Sequence, residues 1–173
     1  PTEVRRLWPV LSAAALFVRA AAPETEIVVA ALPGLTYPEA GSFHIRESDS
    51  STVMAACDAV ICKSGTSTLE AALAGTPMII CYKTDPLSYA IAKRVIRCRH
   101  IGLVNIVGGR EIAPEFIQHA ATAASLARGA LPLLDVAGAE AVNQRVGLAE
   151  VSDQLGTPGA SERVADLAAE LLE

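Results

Sequence analysis

Aromatic side chains are scarce, with three Phe, three Tyr and one Trp making up 4% of the 173 residues. The core must therefore be built from Ala, Val, Leu and Ile. With 51% hydrophobic and 19% charged residues, the chain has the profile of a folded globular protein. Its length suits one domain or half of a two-lobed enzyme. Excess positive charge is missing too: the net charge is −5, which argues against a nucleic-acid partner, because such binding rests on clustered Lys and Arg. The four cysteines, Cys57, Cys62, Cys81 and Cys98, never reach CxxC spacing, and His44, His100 and His119 are scattered. Small buried thiols are expected there, with no metal and no disulfide. A run of about 18 apolar residues is also absent, so no membrane-spanning helix is expected. The chain opens Pro1-Thr2-Glu3 with neither Met nor a signal segment, the start expected of a piece of a longer protein.

What is present alternates between two periods. Val4 to Ala22 carries apolar residues at helical spacing and stops at Pro23. Glu26 to Leu32 is a β-branched run that predicts a strand buried on both faces. Phe43 to Ile45 predicts a short strand, after which Asp49 or Ser50 caps a helix running to about Ala56. Ala59 to Cys62 predicts a strand, Ser67 to Ala74 a helix ended by Gly75, and Pro77 to Tyr82 another strand. Pro86 suits the first turn of a helix running to Arg97. Gly102 to Asn105 predicts a last strand, and helices are expected over 113–118, 123–131, 139–155 and 161–172. This alternation implies an α/β fold, a Rossmann-like parallel sheet wrapped by helices on both faces. Ligands of such sheets bind beyond the carboxyl ends of the strands.

One of those ends carries the sequence Lys63-Ser64-Gly65-Thr66 and runs directly into a helix. A helix start offers unpaired N–H groups and the positive end of a dipole, and glycine lets a diphosphate come close to the backbone. Ser64, Thr66, Ser67 and Thr68 add hydroxyls, and the carboxylate of Glu70 suits two ribose hydroxyls. The same pattern also serves as a plain helix cap with Glu70 facing water. The turn is not a Walker motif, since no Gly-Lys-Ser/Thr follows the required gap. It is not a nucleophile elbow either, because Ser64 has Cys62 and Thr66 where that motif needs glycines. No Asp-x-Asp pair is present to hold a divalent cation.

The stretch Ala56-Cys57-Asp58-Ala59-Val60 through Ser64-Gly65-Thr66-Ser67-Thr68-Leu69-Glu70-Ala71-Ala72-Leu73-Ala74-Gly75-Thr76-Pro77-Met78 closely resembles lipid-A-disaccharide synthases. Tyr82-Lys83 with Pro86-Leu87-Ser88-Tyr89 and Ala92-Lys93-Arg94 is similar to that family's second block. Leu103-Val104-Asn105-Ile106-Val107-Gly108-Gly109-Arg110-Glu111 with Pro114, Glu115 and Gln118 is similar to its third. The resemblance implies the C-terminal lobe of a GT-B fold with a C-terminal helical extension. Residues 1–132 would form the UDP-sugar-binding lobe, and 133–173 would be helices packing on, or crossing to, an N-terminal lobe outside this chain. It implies transfer of 2,3-diacylglucosamine from UDP to 2,3-diacylglucosamine 1-phosphate, inverting and β-1,6, with no cofactor and no metal.

Under that resemblance Ser64, Gly65 and Thr66, helped by Ser67 and Thr68, would meet the UDP diphosphate and Glu70 the ribose. Asn105, Glu115 and Gln118 would lie on the donor side of the cleft. Lys63 stands where the family suggests a small or apolar residue; it either reaches a phosphate or extends into solvent. The family's Gly-Ser-Arg loop is expected just before Pro1, and its general base in the other lobe, so this chain alone is expected to bind UDP weakly without turnover. The implied partners are UDP-2,3-diacylglucosamine, a lipid acceptor and the cytoplasmic face of the inner membrane; a homodimer is compatible with the pattern. Another GT-B enzyme, such as a peptidoglycan glucosaminyltransferase or a UDP-sugar 2-epimerase, stays open, as does a non-catalytic UDP-sugar-binding module.

Positive charge gathers in the middle third, at Lys83, Lys93, Arg94, Arg97, Arg99, His100 and Arg110. On a helix from Pro86 to Arg97, Leu87, Ile91 and Val95 share one face while Tyr89, Lys93 and Arg97 share another. Such a face is either solvated or attracts anionic headgroups, at about 1 kcal/mol per nearby charge. If it meets lipid, Arg94→Glu combined with Arg97→Glu will weaken liposome binding of the intact enzyme; unchanged binding would contradict it.

Overall fold

The structure, a computed structural model, describes residues 2–38, 40–47, 49–85, 89, 99–157 and 159–170. Helix α1 (Thr2–Ala21) leads into β1 (Val28–Ala30) and β2 (His44–Arg46), and then α2 (Ser50–Ala55). Strand β3 (Val60–Lys63), helix α3 (Ser67–Leu73) and strand β4 (Met78–Tyr82) follow. Beyond them come α4 (Leu103–Val107), β5 (Glu115–Ile117), α5 (Ala123–Ala130), α6 (Ala139–Leu155) and α7 (Ala160–Glu170). All pairings are parallel: β1 with β2, and β3, β4, β5 in that order with β4 central. This is the α/β fold with parallel strands flanked by helices that the alternation predicts. Among the described residues no helix is long and apolar enough to cross a membrane.

Strand β4 explains why there are two helical layers. Met78, Ile79, Ile80 and Cys81 are each 0% exposed, and alternate residues point to opposite faces. Met78 and Ile80 join Cys62, Ala71, Ala72, Val104, Leu148 and Val151, which come from β3, α3, α4 and α6. Ile79 and Cys81 join Leu7, Ala14 and Val18 of α1 and Leu126, Ala127 and Ala130 of α5. Burying each large side chain contributes about 1.5–3 kcal/mol, so β4 contributes several kcal/mol to the fold. Gln144 on α6 fastens the strand at its start: Oε1 accepts from the Met78 N–H, and Nε2 donates to the Met78 carbonyl at 3.0 Å. Both backbone groups are buried and would be costly without that amide.

The β1–β2 layer departs from expectation. Val28 and Ala30 are exposed and only Val29 turns inward, so β1 is covered on one face, not two. A smaller cluster explains the difference. Trp8, Phe43 and Ala40 pack with Ile27, Val29 and Ile45 on α1, with Trp8 in edge contact with Tyr37 and Phe43. The Trp8 indole N–H donates to the Pro38 carbonyl at 2.8 Å, which gives this buried ring its polar partner.

Two other predicted elements exchange character. Gly102 to Asn105 is not a strand; Leu103–Val107 is a helix, and the Gly102 carbonyl accepts from the N–H groups of Asn105 and Ile106 at 3.1 and 3.0 Å. The region 113–118 is not a helix; Glu115–Ile117 is a strand paired to β4. A buried polar junction overrides the local propensities. The Glu115 carboxylate accepts from Ile101 N–H at 3.0 Å, Gly102 N–H at 2.9 Å and the Asn105 amide at 2.8 Å, so it ties the segment entering α4 to β5. Gly102 leaves room for this, because a Cβ there would stand 2.3 Å from Ile80 Cδ1. Asn105 is 0% exposed; its Oδ1 accepts from Ile112 N–H at 2.7 Å and Ala113 N–H at 2.9 Å, and its Nδ2 also donates to the Ala113 carbonyl at 2.7 Å. The helix expected from Pro86 to Arg97 lies outside the described residues, Tyr89 excepted.

Toward the C-terminus, Leu148 and Val151 of α6 belong to the core described above, whereas the described side chains of α7 are exposed, Val164 and Leu167 at 66% and 60%. Asn105→Ala would orphan two buried N–H groups and a carbonyl. It will lower unfolding stability by about 3–5 kcal/mol in a urea titration. A change below about 0.5 kcal/mol would show that Asn105 does not hold this junction.

Candidate functional site

Strand β3 ends at half-buried Lys63, and the Ser64 N–H still reaches the Cys81 carbonyl of β4 at 3.1 Å. The chain then turns through Gly65 at φ +150°, a conformation that favours glycine, and its missing Cβ would meet nothing within 4 Å. The first helical hydrogen bonds run from Thr68 N–H to the Gly65 carbonyl at 3.1 Å and from Leu69 N–H to the Thr66 carbonyl at 2.9 Å. The N–H groups of Gly65, Thr66 and Ser67 precede them and form the open end of the turn. Space in front of glycine and an N–H-rich backbone together form a surface suited to an anion.

The hydroxyls divide into two kinds. Ser64 Oγ donates to the Ile101 carbonyl at 2.8 Å, Ser67 Oγ to the Lys63 carbonyl at 3.0 Å, and Thr68 Oγ1 to the Gly65 carbonyl at 2.8 Å. Their protons build the turn, and buried Thr68 is wholly internal. Thr66 is the exposed one and makes no side-chain cap bond.

Glu70 sits half-buried in the first turn of α3, and its Oε2 accepts from Ser50 Oγ at 2.5 Å. Next to it, burial pushes the Cys62 thiol up to about 12, and the Glu70 charge adds to the shift. Burial likewise raises Cys81 to about 11, although Lys83 opposes it, and raises Cys57, with help from Asp58. These thiols are free and stay protonated at neutral pH, as inert packing groups. Cys98 lies outside the described residues.

The end of β5 adds Gln118. Its φ of +54° is the left-handed region, unusual for a residue with a Cβ and a common sign of backbone held in place for function. Its Oε1 accepts from the Thr84 N–H just past β4, at 3.3 Å. Its Nε2 is buried with no hydrogen-bond partner among the described residues, a donor left for something else.

The structure thus brings Lys63, Ser64, Gly65, Thr66, Ser67, Thr68 and Glu70 to the end of β3 and Gln118 to the end of β5, with Thr84 between them. Glu115, 7% exposed at its side chain, and Asn105 lie inside the fold, and His100 Nδ1 stands 3.9 Å from Glu115 Oε1. Their junction reaches the turn indirectly, because Glu115 holds the N–H of Ile101 and Ser64 holds its carbonyl. Lys93, Arg94 and Arg97 fall outside the described residues; Arg110, counted in the basic cluster, pairs with Glu150 on α6. Sequence reasoning missed Ser50 as a neighbour of Glu70. Its only signal there is the cap pattern Asp49-Ser50, and the contact spans 20 positions.

Comparison with known proteins shows the family. A family model described as lipid-A-disaccharide synthetase matches residues 2–170. The lipid-A-disaccharide synthase of Geobacter sulfurreducens is 39% identical over 98% of this chain and 46% of its own length. That of Anaeromyxobacter dehalogenans is 41% identical over 96% and 45%. That of Syntrophotalea carbinolica is 51% identical over 69% and 30%. The chain spans about half the length of the curated relatives it matches. On a match that runs almost end to end, the chain belongs to the lipid-A-disaccharide synthetase family.

Proposed function

We propose that this chain is the donor-binding half of a glycosyltransferase of lipid A biosynthesis. It grips UDP-2,3-diacylglucosamine while the sugar passes to 2,3-diacylglucosamine 1-phosphate, with inversion, to give a β-1,6 disaccharide. The observation that carries this reading is the shared carboxyl edge of β3, β4 and β5. There an open glycine turn, a half-buried carboxylate and the Gln118 Nε2, which has no partner among the described residues, stand together in a chain of this family.

Each group has a task in this reading. The N–H groups of Gly65, Thr66 and Ser67, with the Thr66 hydroxyl, take the diphosphate and stabilise the charge that grows on UDP as it leaves. Lys63 adds a cation at the same end. Glu70 accepts from the ribose hydroxyls. Gln118 Nε2 donates to the donor from the β5 side. Ser64, Ser67 and Thr68 hold the turn in shape through their carbonyl partners, and Asn105 and Glu115 hold the segment behind it. The proton of the acceptor hydroxyl goes to a base in a second lobe, so donor binding and deprotonation are divided between halves. Residues 1–132 belong to the donor lobe; within 133–173, α6 packs on this lobe and α7, whose described side chains are exposed, is the part that packs on or crosses to the other. The acceptor is a lipid, which suits an enzyme peripheral to the inner membrane.

Calorimetry with UDP tests the assignment. Glu70→Ala removes a charged acceptor and will weaken UDP binding about tenfold or more. Equal affinity in parent and variant would contradict the ribose role.

A further inference from the structure

Ser50 is absent from the turn and from every motif block, yet its hydroxyl is the group that holds Glu70. Asp49 caps α2: its Oδ2 accepts from the Thr52 N–H at 3.4 Å and from the Ser51 hydroxyl. Those contacts hold the Asp49 carboxyl below the usual carboxylate range, the Ser51 hydroxyl most of all. The cap's needs are thus met by Ser51 and Thr52, which leaves the half-buried Ser50 hydroxyl to point elsewhere. It donates to Glu70 Oε2 at 2.5 Å.

The two helices are fixed relative to each other by independent contacts. Met54 of α2 is buried against Ala71 and Ala72 of α3, and Thr76, just past α3, donates its hydroxyl to the Met54 carbonyl at 2.8 Å. The Ser50–Glu70 bond therefore joins rigid elements. A glutamate has three side-chain torsions, and an unheld one loses that freedom when it binds. Recognition of a vicinal diol needs the carboxylate plane fixed in advance.

We propose that Ser50 is a positioning residue for nucleotide ribose: it pins one carboxylate oxygen of Glu70, so that the carboxylate meets the sugar hydroxyls in a set orientation. This rests on Glu70 being the ribose acceptor, as proposed above. Ser50 touches no substrate, and its effect travels only through Glu70.

The test titrates the 173-residue chain with UDP and with 2′-deoxy-UDP and reads the ratio of affinities. The parent prefers UDP about tenfold or more. Ser50→Ala will shrink that ratio about three- to tenfold, weakening UDP more than 2′-deoxy-UDP, which keeps only the 3′-hydroxyl for Glu70, with melting temperature unchanged, and Ser50→Thr will restore it. In a Glu70→Ala background the same change will have no effect on the ratio. A Ser50→Ala variant that keeps the parent ratio, or loses affinity for both nucleotides equally, overturns the inference while the Glu70 role stands. If Glu70→Ala itself keeps the parent ratio, the ribose role falls and the inference with it.

Discussion

Strand β4 sets the terms for everything around it. Four consecutive residues, Met78 to Cys81, are fully buried, so both faces of the strand need a helical layer and both edges need a partner. The edges are met by β3 and β5, and the faces by α3, α4 and α6 on one side and α1 and α5 on the other. Because all three strands run parallel, their carboxyl ends open on one edge. The turn after β3, Thr84 after β4 and Gln118 after β5 meet there as a consequence of burial, and chemistry uses an edge that packing has already produced.

Acidic groups lie on that edge and inside the fold behind it, near a site suited to an anion, and the structure shows how each is handled. Glu115 is surrounded by N–H donors from Ile101, Gly102 and Asn105, so its charge is balanced inside the fold. Glu70 is half-buried and already has one hydroxyl donor. The turn itself spends the protons of Ser64, Ser67 and Thr68 on carbonyls at positions 101, 63 and 65, and so presents backbone with only the Thr66 hydroxyl beside it. A cradle of backbone N–H groups is rigid where hydroxyls rotate, which is the better basis for holding a leaving diphosphate.

Much of this was legible in the sequence. Helix α1, the strand-turn-helix from β3 to α3, the buried run of β4, and α5 and α6 follow their periodicities and caps closely. The failures lie where a distant residue decides. Leu103-Val104-Asn105 reads as extended by local preference, but Glu115, 10 residues beyond Asn105, holds the Asn105 amide and the N–H groups that lead into the helix. Glu115 to Ile117 reads as helical, yet β4 has a free edge there and Ile80 N–H bonds to the Pro114 carbonyl at 2.9 Å. For β1 the composition suggests burial on both faces, but composition cannot say whether a second layer arrives. The site shows the same division. Gly65 and Glu70 are visible as a local pattern, while the buried setting of Asn105, the Thr84 bond of Gln118 and the hand of Ser50 on Glu70 are tertiary facts.

The central claim is that the turn at the end of β3 binds the diphosphate of a uridine nucleotide through its backbone. Amide chemical-shift mapping of the 173-residue chain during a UDP titration tests this most directly. The account predicts the largest shifts at the N–H groups of Gly65, Thr66 and Ser67. Unmoved resonances there, with shifts confined to the apolar groove of Phe17, Ala127 and Leu131 between α1 and α5, would contradict it.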